Sequence, residues 1–231
     1  MVLFGDSHAL QWQPGLKAAA FEHDWRIVAL TKAACPPPQV RSTRKDTKAE
    51  ESCELWRASA LDWIAEHEPD VVLMTGAGRL YRLEDEAGQR ITGDARTEAW
   101  VEGLAATIEA VPKTTRALVL ADTPLLKTNP GLCLEQDPSD LVDCSTSRAD
   151  AIDPRFDAAE RAAAETAGAT WADLNHVVCP YSPCPLVFDG TFGWRNRDHI
   201  TASLSRMLAP SLGQAVLETL TGDDSSPEER D

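Results

Sequence analysis

The stretch VLFGDSHA (residues 2–9) decides the fold of this chain. Its first four residues are apolar or small and are typical of a short buried strand. The acid, serine and histidine that follow indicate the start of a helix, which we predict over residues 8–22 with Pro14 in its first turns. A buried strand that runs directly into a helix is typical of α/β domains, and it places Ser7 just past the strand's carboxyl end.

Apolar runs and helical patterns alternate along the rest of the chain. This alternation predicts a central parallel sheet with helices on both faces, a three-layer α/β/α sandwich. We expect one domain over residues 1–221 and a disordered acidic tail over 222–231. The prolines and mixed charges of residues 31–53 predict an irregular loop. The predicted strands are 26–30, 70–76, 116–122 and 170–174, and the predicted helices are 54–66, 94–110, 155–167 and 200–219.

Composition and charge exclude several classes of protein. The 231 residues include 22 Lys and Arg against 37 Asp and Glu, which gives a net charge of −15. We therefore expect no nucleic-acid partner, because phosphate binding needs clustered cations. No apolar run approaches the length of a transmembrane helix, and we expect the first residues to form a core strand and not a signal peptide. Since a core strand rarely begins at residue two, we expect a domain taken from a longer protein whose preceding part carried the targeting information.

The six cysteines form three local pairs along the chain. None has the CxxC spacing of a zinc site, so three disulfides that close long loops are favoured over a metal site or six buried free thiols. Such disulfides predict a location outside the reducing cytosol. The predicted pairs are Cys35–Cys53, Cys133–Cys144 and Cys179–Cys184.

Ser7 and His199 are the candidate catalytic pair. Ligands of open parallel sheets bind at the carboxyl ends of the strands, where Ser7 lies. The alternative is that Asp6 or Ser7 only caps the helix. His199, in NRDHITAS (residues 196–203), lies before the last predicted helix and can reach the same sheet edge. We expect the side chain of His8 to point away from the serine. His23, His67 and His176 fit a catalytic role less well, because they lie at helix ends or beside a cysteine loop.

Several motifs together resemble the SGNH-hydrolase (GDSL-like) domain. They are GDSHA (5–9), TKAACPP (31–37), the paired cysteines, DTP (122–124) and HITASLSRMLAP (199–210). The chain most resembles the version fused behind the membrane-embedded acyltransferase-3 domain of bacterial cell-envelope acyltransferases. The resemblance spans about residues 2–220 and implies a flavodoxin-like three-layer fold. It also implies an extracytoplasmic domain that receives an acyl group, acetyl or another short acyl, from the fused membrane domain. The acyl group then passes to a hydroxyl of an envelope glycan or glycolipid, without a cofactor.

The resemblance assigns roles to particular residues and shows where this chain departs from the family. Ser7 matches the nucleophile and the first oxyanion N–H group, and His199 matches the base. Three residues before that histidine the family has Asp, whereas this chain has Asn196. We favour Asn196 as the group that orients His199, with Asp198 as the alternative.

The other departures concern the oxyanion site and the substrate site. The glycine and asparagine with which the family stabilises the oxyanion are missing, so the groups available instead are at Ala33, Thr75 and Gly76. Trp194 lies close to His199 in sequence and either stacks on a sugar ring or belongs to the core.

Two rival functions remain open at this point. A carbohydrate O-acetyl esterase would use the same site with water in place of the acceptor. A non-catalytic, glycan-binding SGNH-like module would have lost its triad at Asn196. A metal-dependent site is not expected, because the acids and histidines lack a ligand spacing such as HxxxH.

Overall fold

The computed structural model describes residues 1–42, 47–136 and 140–222. The strands are β1 (Val2–Gly5), β2 (Val28–Thr31), β3 (Val71–Thr75), β4 (Leu83–Glu84), β5 (Arg90–Ile91), β6 (Arg116–Leu120), β7 (Thr170–Ala172), β8 (Val187–Phe188) and β9 (Thr191–Phe192). The helices are α1 (Ser7–Leu10), α2 (Gln13–His23), α3 (Thr47–His67), α4 (Asp94–Glu109), α5 (Pro130–Gln136), α6 (Arg148–Ala151), α7 (Pro154–Thr166), α8 (Asn175–Val178), α9 (Ala202–Met207) and α10 (Ala209–Thr221).

Five parallel strands form the central sheet, in the order β2-β1-β3-β6-β7. Side chains of β1 alternate between the two faces, so Leu3 packs on one side of the sheet and Phe4 on the other. Leu3 belongs to a core that includes Leu212 of α10, whereas Phe4 belongs to one that includes Ile64 of α3. The structure therefore confirms the three-layer α/β/α sandwich, and β1, which lies between β2 and β3, leads at its carboxyl end to Ser7.

Both long terminal helices of the prediction are interrupted. The helix expected over residues 8–22 is divided into α1 and α2, with Pro14 in the first turn of α2. The helix expected over 200–219 is divided at Leu208, with Pro210 in the first turn of α10. Proline lacks the N–H of a continuous helix and is tolerated in a first turn, so each proline begins a new helix.

The loop predicted over residues 31–53 is wrong at its carboxyl end, because α3 already begins at Thr47. Residues 43–46 of that loop and residues 223–231 of the predicted acidic tail lie outside the described residues. The short helices α5, α6 and α8 and the hairpins β4–β5 and β8–β9 were not predicted, since two to seven residues are too few to show a period. Within the described part of the chain, no helix has both the length and the apolar character needed to cross a membrane.

The three predicted disulfides are present, and they leave no cysteine free. Their partners are 18, 11 and 5 residues apart in the sequence. The Cys35–Cys53 bond ties the turn after β2 to α3, and the Cys179–Cys184 bond closes the segment between α8 and β8. Each bond closes a segment of the chain and so restricts the unfolded state.

Gly5 ends β1 at a point where only glycine fits. Its φ is +151°, and a Cβ at this position would lie 2.1 Å from the carbonyl oxygen of Thr75 on the neighbouring strand. The close approach of the two backbones is what brings the turn after β1 against the end of β3.

Gly5→Ala should lower the free energy of unfolding by more than about 3 kcal/mol, because the backbone of β3 cannot move away from the new methyl group. Gly131→Ala is the matched control: its added Cβ meets nothing closer than 3.5 Å. The control should stay within about 1 kcal/mol of the wild type. Urea unfolding monitored by circular dichroism measures both, and similar losses in the two variants would contradict the argument.

Candidate active site

Ser7 and His199 meet at the carboxyl edge of the sheet. Ser7 is the first residue of α1, and His199 lies in the turn between β9 and α9. The Oγ of Ser7 is 2.9 Å from the Nε2 of His199, although the two residues are 192 positions apart in the sequence. This is hydrogen-bond distance for a nucleophile and its base.

Asp6 fixes the turn that carries Ser7. Its carboxylate is fully buried and caps α1, since Oδ1 accepts the N–H of His8 at 2.7 Å. Its Oδ2 accepts the N–H of Ala77 at 3.0 Å and the hydroxyl of Tyr81 at 2.6 Å. The sequence left open whether Asp6 or Ser7 caps the helix. Because Asp6 does so, the hydroxyl of Ser7 is free to face His199.

The second ring nitrogen of His199 faces two oxygen atoms. Its Nδ1 lies 3.2 Å from Oδ1 of Asn196 and 3.1 Å from Oδ1 of Asp198. The same Asn196 oxygen accepts the backbone N–H groups of Asp198 at 3.0 Å and of His199 at 2.7 Å, which identifies it as the amide oxygen. Both neighbours of Nδ1 are therefore acceptors, so Nδ1 carries the proton and Nε2 is left to accept from Ser7.

Both residues that the sequence offered as orienting groups thus lie beside His199. Asn196 holds the turn closed through two backbone hydrogen bonds and also reaches the ring. Asp198, which the sequence analysis treated as an alternative to Asn196, reaches the same nitrogen at the same time. The carboxylate is therefore next to His199 even though the position three residues earlier has none.

His8 points into the site, and the expectation that it points away is wrong. Its buried ring lies 4.6 Å from the ring of His199, centroid to centroid. Its Nδ1 is 2.6 Å from Oδ1 of Asp122, the residue of the DTP motif at the end of β6, and its Nε2 is 4.0 Å from Oδ2 of Asp198. Sequence reasoning missed His8 and Asp122 as a pair. The available signal was an acid at the end of another predicted strand of the same sheet and a histidine directly after the serine.

The charges around the two histidines move their pKa values in opposite directions. Burial opposes a charge on His8, but the carboxylates of Asp122, Asp6 and Asp198 outweigh burial and raise the pKa of His8 to about 9. Burial and then the charge on His8 lower the pKa of His199, although Asp198 acts in the opposite direction. His199 is therefore neutral near pH 7, as a base must be, beside a charged His8.

The positions proposed for the oxyanion site lie at the ends of β2 and β3. Gly76 packs beside the Asp6 carboxylate, since a Cβ on Gly76 would lie 3.3 Å from its Oδ2. Ala33 is exposed in the turn after β2 and lines a cavity of about 180 Å³. The hydroxyl of Thr75 is buried and has no hydrogen-bond partner among the described residues, so it does not face the open site.

Trp194 does not line the site. Its side chain is only 1% exposed, and its indole N–H donates to the carbonyl oxygen of Pro185 at 2.9 Å. The strand pair β8–β9 and the bridge between Trp194 and Ile200 place the ring in the core. The interpretation of Trp194 as a sugar-stacking platform is therefore wrong.

A metal ion is not needed to explain the cluster around His199. Ligating atoms of His8, Asp198 and His199 lie within 4.8 Å of one another, which three ligands of one ion would require. Each of these side chains already has a partner inside the cluster, and the charge of His8 offsets that of Asp198. The arrangement is explained as a set of hydrogen bonds and ion pairs.

Comparisons with known proteins identify the family and a similar fold. Residues 1–214 match a family model described as the SGNH domain fused to AT3 domains. The fold is similar to that of the periplasmic domain of a lipopolysaccharide acetyltransferase from Salmonella ser. Paratyphi A, with a TM-score of 0.71 and 18% sequence identity. That likeness covers 94% of this chain and 82% of the other. None of the curated proteins compared with this chain matches it.

The two histidines should titrate far apart. His8 should lose its proton near pH 9, and His199 should gain one only below pH 6.5, because burial and the neighbouring charge oppose it. Ring ¹⁵N chemical shifts followed by NMR from pH 5 to 10 measure both, with His8→Gln and His199→Gln assigning the signals. A His199 that is already protonated at pH 7 would contradict the assignment of the base.

Proposed function

Because the chain belongs to the SGNH domains that are fused to AT3 domains, we propose that it is the acyl-transferring domain of an envelope O-acyltransferase. In this proposal Ser7 accepts an acyl group, acetyl or another short acyl, and passes it to a hydroxyl of a cell-envelope glycan or glycolipid. The observation that carries the proposal is the 2.9 Å contact between Ser7 Oγ and His199 Nε2. A serine hydroxyl at hydrogen-bond distance from a histidine is the arrangement by which a base activates a nucleophile.

In the first half of the reaction, Ser7 becomes acylated. His199 Nε2 takes the hydroxyl proton of Ser7 as Oγ forms a bond to the carbonyl carbon of the acyl donor. The tetrahedral intermediate collapses with loss of the donor's leaving group, to which His199 returns the proton. Asn196 and Asp198 hold the ring by accepting from Nδ1, and the carboxylate of Asp198 stabilises the imidazolium that forms.

Backbone N–H groups are the best donors to the oxyanion. Ser7 supplies one at the start of α1, and Gly76 lies next to the same turn, beside Asp6. Ala33 lies in the turn after β2, where its exposed position leaves its N–H group accessible as a further candidate donor. Backbone donors held by strand ends need no reorganisation when the charge develops.

In the second half of the reaction, an acceptor hydroxyl attacks the acyl-serine. His199 removes the hydroxyl proton, the acceptor oxygen bonds to the acyl carbon, and the proton returns to Ser7 Oγ as the ester bond to the serine breaks. Water in place of the acceptor would make the same site an esterase. The choice between transfer and hydrolysis therefore lies in which oxygen reaches the acyl-serine first.

Two further features support the partners and the location in this proposal. Three disulfides favour an oxidising compartment, which fits an extracytoplasmic domain. In the family, this domain is fused to an AT3 domain, and we propose that such a membrane domain delivers the acyl group. The lipopolysaccharide acetyltransferase of similar fold makes an envelope glycan or glycolipid a reasonable acceptor class for this chain.

A fluorophosphonate serine probe should label the wild-type domain once, on Ser7. Ser7→Ala should take no label, and His199→Ala should label at least about 100-fold more slowly, because the base is lost. Two exposed residues of α3 serve as controls: Ser59→Ala and His67→Ala should label like the wild type. Intact-mass and peptide mass spectrometry give the site and the rate.

The absence of label in every form would contradict the proposed nucleophile. Glycan binding by that unlabelled domain, unchanged in Ser7→Ala, would favour the non-catalytic binding module instead.

Substitutions of Asn196 should separate its two roles. Asn196→Ala leaves two backbone N–H groups without their acceptor, so it should slow labelling about tenfold and lower the free energy of unfolding by about 1–2 kcal/mol. Asn196→Asp keeps the acceptor and adds a negative charge beside Nδ1, which should raise the pKa of His199. Its labelling should therefore match or exceed the wild type above pH 8 and fall behind at pH 6. A wild-type rate in Asn196→Ala would assign the orientation of His199 to Asp198 alone.

A further inference from the structure

The ion pair between His8 and Asp122 is the one part of the site that the proposed mechanism does not use. Its Nδ1–Oδ1 distance is 2.6 Å, the histidine is buried, and only 9% of the Asp122 side chain is exposed. The position of Asp122 is itself fixed, because its carboxylate also accepts the N–H of Thr123 at 2.8 Å. A buried histidine with this much support has a fixed orientation.

The fixed ring of His8 faces the catalytic histidine and its carboxylate together. The Nε2 of His8 is 4.0 Å from Oδ2 of Asp198, whereas the other oxygen of that carboxylate is 3.1 Å from Nδ1 of His199. Asp198 is thus held between the two rings. The side chain of Asp198 is 22% exposed, and its contacts with described side chains are the one to His199 and the one to His8.

We propose that His8, held by Asp122, is a positioning residue that keeps the Asp198 carboxylate against His199 and repels a second positive charge on that ring. The inference rests on the proposed function and deepens it, since it explains how a site with Asn196 in the place of an acid retains a carboxylate partner. Asn196 carries no charge, so Asp198 supplies the negative charge of this turn. The positive charge of His8, in α1, balances it.

The charged groups that face the two rings come from three elements. Asp6 caps α1 and His8 is the second residue of that helix, Asp122 lies just after β6, and Asp198 lies in the turn before α9. Arg195, on that last turn, adds a weaker positive contribution at His199. The charge on His8 lowers the pKa of His199 and Asp198 raises it, so loss of one charge moves the protonation of His199 in the opposite direction to loss of the other.

The test is the pH dependence of fluorophosphonate labelling of the whole domain, together with the NMR titration of His199 in the same variants. His8→Gln keeps a donor for Asp122 but carries no charge. It should slow labelling about tenfold at its plateau and move the acid limb of the profile to higher pH. Asp122→Asn should act in the same direction, because His8 then loses the carboxylate that keeps it charged. Asp198→Asn should move the limb to lower pH.

The double variant His8→Gln/Asp122→Asn should be no slower than the slower single variant, since both changes remove one ion pair. Ser205→Ala is the control for a structural effect. It removes a buried acceptor of the Gly15 N–H group, so it should lower the midpoint temperature of unfolding. The acid limb of the labelling profile should stay at the same pH.

An acid limb and a His199 titration that stay unchanged in both His8→Gln and Asp122→Asn would overturn the inference. Because NMR reads His199 directly, the failure of the inference is distinct from failure of the proposed function. A domain that takes no label but shows the expected shift in the His199 titration would support the positioning role of His8 and contradict the proposed enzymatic function.

Discussion

The buried carboxylate of Asp6 is the constraint on which the site depends. It directly follows Gly5, whose missing side chain permits the close contact between the ends of β1 and β3. One of its three donors belongs to α1, and the other two belong to the segment after β3. A buried carboxylate is stable only with its donors in place, so these two segments move as one unit. Ser7 follows Asp6 directly and inherits that rigidity.

The short helix α1 extends this arrangement to the rest of the sheet edge. His8 reaches the end of β6 through Asp122. Gln11, at the break between α1 and α2, donates to Thr123 Oγ1 at 3.3 Å and accepts the N–H of Ile200 at 2.9 Å. The turn that bears His199 is therefore attached to the helix that bears Ser7 by a hydrogen bond beside the catalytic contact. A break in the helix at this point lets one side chain bridge two loops.

The sequence predicted the features that depend on local pattern. Apolar runs revealed the strands, and the rule that strand ends carry ligands singled out Ser7 and His199. It did not predict the inward orientation of His8, because that depends on Asp122, a partner 114 residues away. The sequence left two positions open for Trp194, on a sugar ring or in the core, and the nearby strands β8 and β9 are too short to show a pattern that decides between them. The orientation of a buried polar side chain depends on partners that are distant in the sequence. A short stretch of sequence does not contain those partners.

The site tolerates Asn196 because the turn and the charge are separate requirements. The turn needs an oxygen that accepts two backbone N–H groups, and an amide supplies it as well as a carboxylate does. The charge needs only to reach Nδ1 of His199, which Asp198 does at 3.1 Å. A second carboxylate at residue 196 would face that of Asp198 across one ring nitrogen, and their repulsion would favour a protonated His199. With a single carboxylate, offset by the charge on His8, the ring stays neutral until Ser7 gives up its proton.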